Sequence, residues 1–169
     1  MFSRKPTLRS ILFVCTANVT RSPAAAAMFS VEAKKSGQKW SVASAGVTAG
    51  RGYPASPVIS YVMFQRKVPL TDHRSQPVEA KLLKKFHWII TMERSQRDLI
   101  LKLNPSVADR IFVFRELTYT APLERPDMPD PTGKEPDDYR ELLDILNAEI
   151  PILFRRLESR ISDVELGVE

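Results

Sequence analysis

An uninterrupted apolar run at residues 11–14 ends at Cys15, and a proline-led, alanine-rich segment begins at Pro23. Continuous apolar runs of this length are typical of strands that are buried on both faces of a parallel sheet. Proline suits the first turn of a helix, and alanine is the best helix former. The pattern predicts a strand, a tight loop over residues 15–22 and a helix, which form the first unit of a parallel α/β sheet.

The same alternation of strand-like and helix-like segments continues to the end of the chain. We predict strands at residues 10–15, 40–45, 88–91 and 111–114, and helices at residues 22–36, 56–65, 78–84, 94–103 and 137–160. This order favours an α/β fold, a four-stranded parallel sheet with helices on both faces, of the doubly wound, flavodoxin-like kind. Residues 1–169 are expected to form a single domain with a core at about 9–161. Pro151 is expected to kink or divide the last helix.

The predicted loop carries a thiol and a guanidinium at a fixed spacing, with five residues between Cys15 and Arg21, and Ser22 follows. The unpaired N–H groups and the dipole of a helix N-terminus favour anions, and they favour a thiolate over a thiol. A guanidinium fork matches the oxygens of a phosphate. A buried cysteine is more often an inert apolar residue. The arginine at this spacing nevertheless favours a site that cleaves phosphate esters, and we name residues 15–22 the phosphate loop.

The composition narrows the other function classes. One cysteine allows no internal disulfide, suits a reducing cytoplasm, and leaves no cysteine-built zinc site. His73 and His87 lack ligand spacing, so no metal and no cofactor is expected. The net charge of +5 comes from basic residues scattered among acidic ones, so no nucleic-acid partner is expected. No apolar stretch has the length of a membrane span or of a signal peptide.

The phosphate loop resembles the signature of the low-molecular-weight protein tyrosine phosphatases. That signature runs close to Val-Cys-x-Gly-Asn-x-x-Arg-Ser-Pro, and residues 14–23 read Val-Cys-Thr-Ala-Asn-Val-Thr-Arg-Ser-Pro. Further landmarks of the family follow in its order over nearly the whole chain: Ser44-Ala45-Gly46, Asp72-His73-Arg74-Ser75, Thr91-Met92 and Asp130-Pro131.

The resemblance implies catalytic roles for Cys15, Arg21 and Asp130. Cys15 would form a phosphocysteine, and Asp130 would protonate the leaving oxygen and later activate water. The implied phosphate-binding residues are Thr16, Ala17, Asn18, Val19, Thr20, Arg21 and Ser22. Asn18 and Ser22 have supporting roles, because asparagine tolerates left-handed backbone angles and the serine hydroxyl is expected to bond the sulfur. The implied partners are phosphorylated proteins, with inorganic phosphate as product and inhibitor.

The acid is expected on a proline- and aspartate-rich surface loop at residues 118–136. Asp130 could also be a simple turn residue, and Asp127 could compete for its role. His73 is expected to anchor a loop rather than act as a base, and His87 to be structural. A phospho-ligand-binding module without activity and a nucleic-acid binder are the alternatives from other classes.

Several residues depart from the family pattern. Ala17 stands where glycine is usual, so the loop needs compatible angles there or bears strain. Thr20 stands where many members have a second cysteine, so a disulfide cannot shield Cys15 from over-oxidation. Thr132 stands where tyrosine-directed members usually carry an aromatic residue, which leaves Tyr53 as a possible wall of the site.

The comparison with the family pattern also predicts which phosphorylated side chain is the substrate. Several segments look most like the bacterial branch that includes protein-arginine phosphatases, but that activity goes with threonine at the position of Val19. An apolar residue there is typical of tyrosine-directed enzymes. Phosphotyrosine and small aryl phosphates are therefore the expected substrates, and phosphoarginine is the alternative.

Overall fold

Four parallel strands form one sheet, and the first strand of the chain lies inside it. The strands are β1 (Ser10–Cys15), β2 (Ser41–Gly46), β3 (Trp88–Thr91) and β4 (Ile111–Val113), in the spatial order β2-β1-β3-β4. The computed structural model describes residues 6–167. Cys15 is in register with Gly46, and Val14 with Thr91, so three strands end side by side. Ligands of open α/β sheets bind beyond this edge.

Helices follow the strands as the alternation predicts. They are α1 (Arg21–Lys35), α2 (Pro57–Gln65), α3 (Ala80–Leu83), α4 (Arg94–Leu103), α5 (Phe114–Thr118) and α6 (Pro136–Glu165), with a 3₁₀ turn at Pro105–Val107. The predicted α/β fold with a four-stranded parallel sheet is confirmed, and the predicted bounds of β1, β3 and α4 are those observed.

Apolar side chains are buried on both faces of the sheet. Phe13 and Cys15 belong to the larger cluster, which includes residues of α1 and α6, whereas Leu12 and Val14 belong to the smaller one. This division follows from the geometry of a strand, whose successive side chains point to opposite faces. Cys15 therefore lies on the face of the sheet that α1 covers.

Two predicted elements are shorter than expected. Strand β4 stops at Val113 because Phe114 begins α5, where its ring packs 6.2 Å from the ring of Phe13. Helix α3 does not begin at Val78, whose N–H instead donates to the carbonyl of Gly46 at 2.9 Å and so continues the sheet edge. The five-residue helix α5 was not predicted, because it is too short to show helical periodicity.

Helix α6 runs unbroken through Pro151, so the prediction that this proline divides the helix is wrong. An internal proline costs one backbone hydrogen bond, but packing of an apolar face provides most of the stability of a helix in a protein. That face is buried on both sides of Pro151, at Leu142, Leu146, Ile150, Leu153, Leu157 and Ile161.

Candidate active site

The phosphate loop closes around the thiol of Cys15, which is 3% exposed at the end of β1. The sulfur accepts a hydrogen bond from the N–H of Asn18 at 3.3 Å and lies 2.9 Å from Oγ of Ser22. A cleft of about 180 Å³ opens above it. The residues that line this cleft are Cys15, Thr16, Ala17, Asn18, Val19, Thr20, Arg21, Asp130 and Thr132. The structure thus brings the sequence-predicted loop and Asp130 together, with Ser22 behind the sulfur.

Asn18 holds the loop in shape through both its backbone and its side chain. Its φ is +58°, the left-handed value expected for it. Its Nδ2 donates to Oγ of Ser22 and to Oγ of Ser44, both at 2.9 Å, and its Oδ1 accepts the N–H of Gln76 at 2.9 Å. The side chain is fully buried, so these bonds satisfy groups that water does not reach.

His73 anchors the phosphate loop from outside, as predicted. Its Nε2 lies 2.7 Å from the carbonyl oxygen of Asn18. Burial lowers the pKa of His73, and the charge of Arg74 adds to this effect, whereas the bond to Asn18 opposes it. The neutral ring donates its Nε2–H to that carbonyl, so the contact needs no charge.

Gly46 allows β2 to approach the phosphate loop closely. A Cβ at this position would lie 2.5 Å from the carbonyl oxygen of Thr16 and 2.9 Å from the backbone nitrogen of Asn18. The next residue, Val47, donates its N–H to the carbonyl of Cys15 at 3.0 Å. A side chain here would displace the loop, which explains why the Ser44-Ala45-Gly46 segment ends in glycine.

Arg21 is 3% exposed and lies between two carboxylates. Its Nη2 donates to Oδ2 of Asp130 at 3.0 Å, and its Nη1 donates to Oε1 of Glu93. Nη1 also donates to the carbonyl of Met128 at 3.2 Å. These contacts hold the guanidinium in one orientation beside the cleft. A phosphate that bound Nη2 would replace Asp130 there.

Sequence reasoning missed Glu93, which lies two positions after the end of β3, at the same sheet edge as Cys15. Glu93 caps α4 in a capping box with Gln96, and Nε2 of Gln96 donates to Oγ1 of Thr16 at 3.1 Å. A capping box is usually read from serine or threonine three positions before Glu or Gln, and here glutamate takes the first position. The spacing fits the start of a helix, but it does not reveal the pairing of Glu93 with Arg21.

Asp130 reaches the cleft because the preceding chain is fixed to β3. The N–H of Met128 donates to the carbonyl of Met92 at 2.8 Å. Asp127, the competing aspartate, accepts the N–H of Arg94 at 2.8 Å and so lies at the start of α4 instead. Of the two aspartates, Asp130 alone is among the residues that line the cleft.

Several neighbouring groups shift the pKa of the Asp130 carboxyl. Burial raises its pKa, but hydrogen bonds from Thr132 and the charge of Arg21 outweigh that effect and lower the pKa below its usual range. Oδ1 accepts the hydroxyl of Thr132 at 2.7 Å and its N–H at 3.1 Å. Asp130 is therefore a carboxylate at neutral pH.

The departures from the family signature have local explanations. Among residues 6–167, the non-glycine residues with positive φ are Asn18 and Lys67, so Ala17 bears no left-handed strain. Thr20 Oγ1 lies 3.2 Å from Oγ of Ser56, which precedes α2. The ring of Tyr53 packs over Gly50 and does not line the cleft, so the expectation of an aromatic wall is wrong.

The sequence and the fold match known proteins over nearly the whole chain. The model of the family described as "Low molecular weight phosphotyrosine protein phosphatase" matches residues 10–163. The chain belongs to this family. It is therefore an enzyme, a phosphatase that acts on phosphorylated protein, and not a phosphate-binding module without activity.

Two relatives and one solved structure illustrate the range of the family. The probable low molecular weight protein-tyrosine-phosphatase EpsP of Ralstonia nicotianae is 30% identical over 82% of this chain and 89% of its own. A protein-arginine-phosphatase of Bacillus subtilis is 29% identical over 89% of this chain and 95% of its own. The YwlE arginine phosphatase was solved as a cysteine-to-serine mutant with a phosphorylated active-site serine. It is 28% identical with a TM-score of 0.82, over 88% of this chain and 95% of its own.

Within residues 6–167, no helix combines the length and the apolar character needed to cross a membrane.

Proposed function

We propose that this phosphatase hydrolyses phosphotyrosine in proteins, and small aryl phosphates, through a phosphocysteine on Cys15. One observation carries the proposal: the sulfur, the Arg21 fork and the Asp130 carboxyl line the same cleft of about 180 Å³. Simple binding of phosphate needs neither a thiol nor an acid, whereas transfer of the phosphoryl group uses both.

In the first step the thiolate of Cys15 attacks phosphorus in line, so that an S–P bond forms as the bond to the aryl oxygen breaks. Asp130 passes its proton to that oxygen, which leaves as a phenol. Arg21 and the N–H groups of the phosphate loop stabilise the equatorial oxygens as charge spreads over them. The burial of Arg21 keeps its charge effective at this point.

In the second step water attacks phosphorus and the S–P bond breaks. The Asp130 carboxylate takes a proton from the water, and inorganic phosphate is the product. The departing thiolate accepts hydrogen bonds from Asn18 N–H and from the Ser22 hydroxyl, which lie 3.3 and 2.9 Å from the sulfur. Phosphate fits the same cradle as the substrate, and we expect it to inhibit.

The pairing of Asp130 with Arg21 explains how a carboxyl with a lowered pKa serves as an acid. A phosphate dianion that binds Arg21 displaces Oδ2 of Asp130 and places negative charge beside it. Both changes favour the protonated carboxyl. The substrate therefore brings Asp130 into its acid form on arrival.

The known proteins support this chemistry. In the YwlE arginine phosphatase mutant, a serine that replaces a cysteine carries the phosphoryl group in the active site. Transfer to Cys15 in this chain is the equivalent step. The same chemistry needs a reduced thiol, which supports a reducing, cytoplasmic location.

Phosphoarginine is the second candidate substrate, and the lining of the cleft favours it. None of the lining residues is aromatic, so the cleft offers no ring on which a tyrosine would stack. Val19 favours phosphotyrosine, because arginine-directed members of the family carry threonine there. The Ralstonia nicotianae relative is named a probable protein-tyrosine-phosphatase and the Bacillus subtilis relative a protein-arginine-phosphatase, so both names occur among proteins of similar sequence.

Hydrolysis of 4-nitrophenyl phosphate by the wild type and by Cys15→Ser tests the chemistry. We expect turnover by the wild type at mildly acidic pH and none by the serine variant. No turnover by the wild type, or turnover by both, contradicts the proposal. Paired phosphotyrosine and phosphoarginine peptides of one sequence then decide the substrate, and faster release from the phosphoarginine peptide would replace phosphotyrosine by the second candidate.

A further inference from the structure

The two oxygens of the Asp130 carboxyl have different partners. Oδ1 accepts two hydrogen bonds from Thr132, from the hydroxyl at 2.7 Å and from the N–H at 3.1 Å. Oδ2 faces the cleft and accepts Nη2 of Arg21 at 3.0 Å. In the proposed function a phosphate at Arg21 replaces the contact to Oδ2, whereas the bonds to Oδ1 come from Thr132 and do not involve Arg21.

We infer that Thr132 is a positioning residue, which holds Oδ1 of Asp130 so that Oδ2 carries the proton to the leaving oxygen. An oxygen that already accepts two hydrogen bonds has little capacity left for a proton. The proton of the acid form therefore resides on Oδ2, the oxygen that points toward the substrate. The inference rests on the proposed function, in which Asp130 is the general acid.

Thr132 acts on orientation as well as on charge. Asp130 is 43% exposed, so its carboxyl lacks the close packing that would fix a buried side chain. Both Thr132 bonds join residues two positions apart on the same loop, and neither involves Arg21. Protonation of a leaving group requires the acid within hydrogen-bond reach of it, so a carboxyl free to rotate donates less often.

The same bonds set the pH range of the acid. Hydrogen bonds to a carboxylate favour its charged form, as does the nearby Lys134. The other titratable groups here are Cys15 and Arg21, which line the cleft, and Glu93, which pairs with Nη1 of Arg21 whereas Asp130 pairs with Nη2. These groups stay in place when only the hydroxyl of Thr132 is removed.

Thr132→Val removes the hydroxyl and keeps both the shape of the side chain and the backbone N–H. We expect the basic limb of the kcat/KM profile to move upward by about half a pH unit to one unit, since a hydrogen bond to a charged group is lost at a partly exposed site. We also expect kcat at the optimum to fall by about threefold to tenfold. Thr132→Ser keeps the hydroxyl and should restore both values.

The leaving group provides a second readout. Phenyl phosphate has a poor leaving group that needs the proton, whereas 4-nitrophenyl phosphate has a good one that needs it less. The loss in Thr132→Val should therefore be larger for phenyl phosphate. A residue that only supports the fold would affect both substrates equally and leave the pH limb unchanged.

Equal pH profiles for the wild type and Thr132→Val, or equal losses with both substrates, overturn this inference. If in the same assays Cys15→Ser is inactive and Asp130→Asn is slow, the proposed function stands while the role of Thr132 fails. If the wild type itself hydrolyses neither ester, the proposed function fails. Thermal unfolding of each variant, expected near the wild-type midpoint, excludes loss of fold as the cause.

Discussion

The side chain of Asn18 joins the phosphate loop to strand β2, because its Nδ2 donates to Oγ of Ser44 at 2.9 Å. The same amide nitrogen donates to Oγ of Ser22, the hydroxyl beside the reactive sulfur. The loop is thereby fixed to the sheet at the point where Cys15 leaves it. The rigidity of the cradle therefore depends on a neutral side chain that is bonded to other groups of the protein.

Replacement of Asn18 by alanine tests this function. Asn18→Ala leaves buried polar partners unsatisfied and puts at φ +58° a residue that tolerates left-handed angles less well than asparagine does. We expect a loss of about 2–4 kcal/mol in the free energy of unfolding, measured by urea denaturation, and a fall in kcat. Asn18→Gly is the matched control, since it loses the same bonds but tolerates this φ. The alanine variant should be less stable than the glycine variant, and equal stabilities would contradict a contribution of backbone strain.

Replacement of Gly46 by alanine tests the close approach of β2 to the loop. The added Cβ would meet backbone atoms of Thr16 and Asn18, which cannot move without displacing the cradle. We expect a loss of about 1–3 kcal/mol in stability, as for other overpacked sites, together with weaker inhibition by inorganic phosphate. Gly50→Ala is the control, because the three atoms nearest to its Cβ would all belong to the ring of Tyr53, which is 62% exposed and can turn away. Unchanged phosphate inhibition in Gly46→Ala would refute the link between this glycine and the cradle.

The local parts of the site could be predicted from the sequence. The strand that ends at Cys15, the left-handed Asn18 and the contact between Ser22 and the sulfur all involve residues within one βα unit. The pairing of Arg21 with Glu93 could not be predicted, because 72 positions separate them and only the order of the strands brings them together. A single sequence carries patterns of periodicity and turns, but not strand order.

One missed feature was readable. Thr132 follows Asp130 by two positions, and short polar side chains at that spacing commonly bond each other or the nearby backbone in turns. The division of α6 at Pro151 was wrong for the opposite reason. There the local rule for proline was applied, and the packing of the buried apolar residues along the helix overrides it.

Substitution of the two aspartates in the loop at residues 118–136, Asp127 and Asp130, should have opposite effects on turnover. Asp130→Asn keeps the shape but removes the proton, so we expect turnover of phenyl phosphate to fall by roughly two to four orders of magnitude. Asp127→Asn is the matched control, because Asp127 accepts the N–H of Arg94 and takes no part in the cleft. We expect near wild-type turnover from that variant. The assay is the initial rate at saturating substrate, and a larger loss in Asp127→Asn would transfer the acid role to it.

His73 should make the fold sensitive to mild acid. Its pKa is lowered from the ordinary value of 6.5, chiefly by burial, so the unfolded chain binds a proton more readily than the folded one. The stability associated with His73 is therefore present above pH 6.5 and is lost as the pH falls through the lower folded pKa. His73→Gln keeps a donor for the carbonyl of Asn18 but does not titrate, so its unfolding free energy should fall less between pH 7 and pH 5.

The pKa of His87 is also lowered by burial, and His87→Gln serves as the comparison for a titrating group away from the loop. Both variants should flatten the pH dependence of stability, and identical pH curves for the wild type and His73→Gln would contradict the linkage.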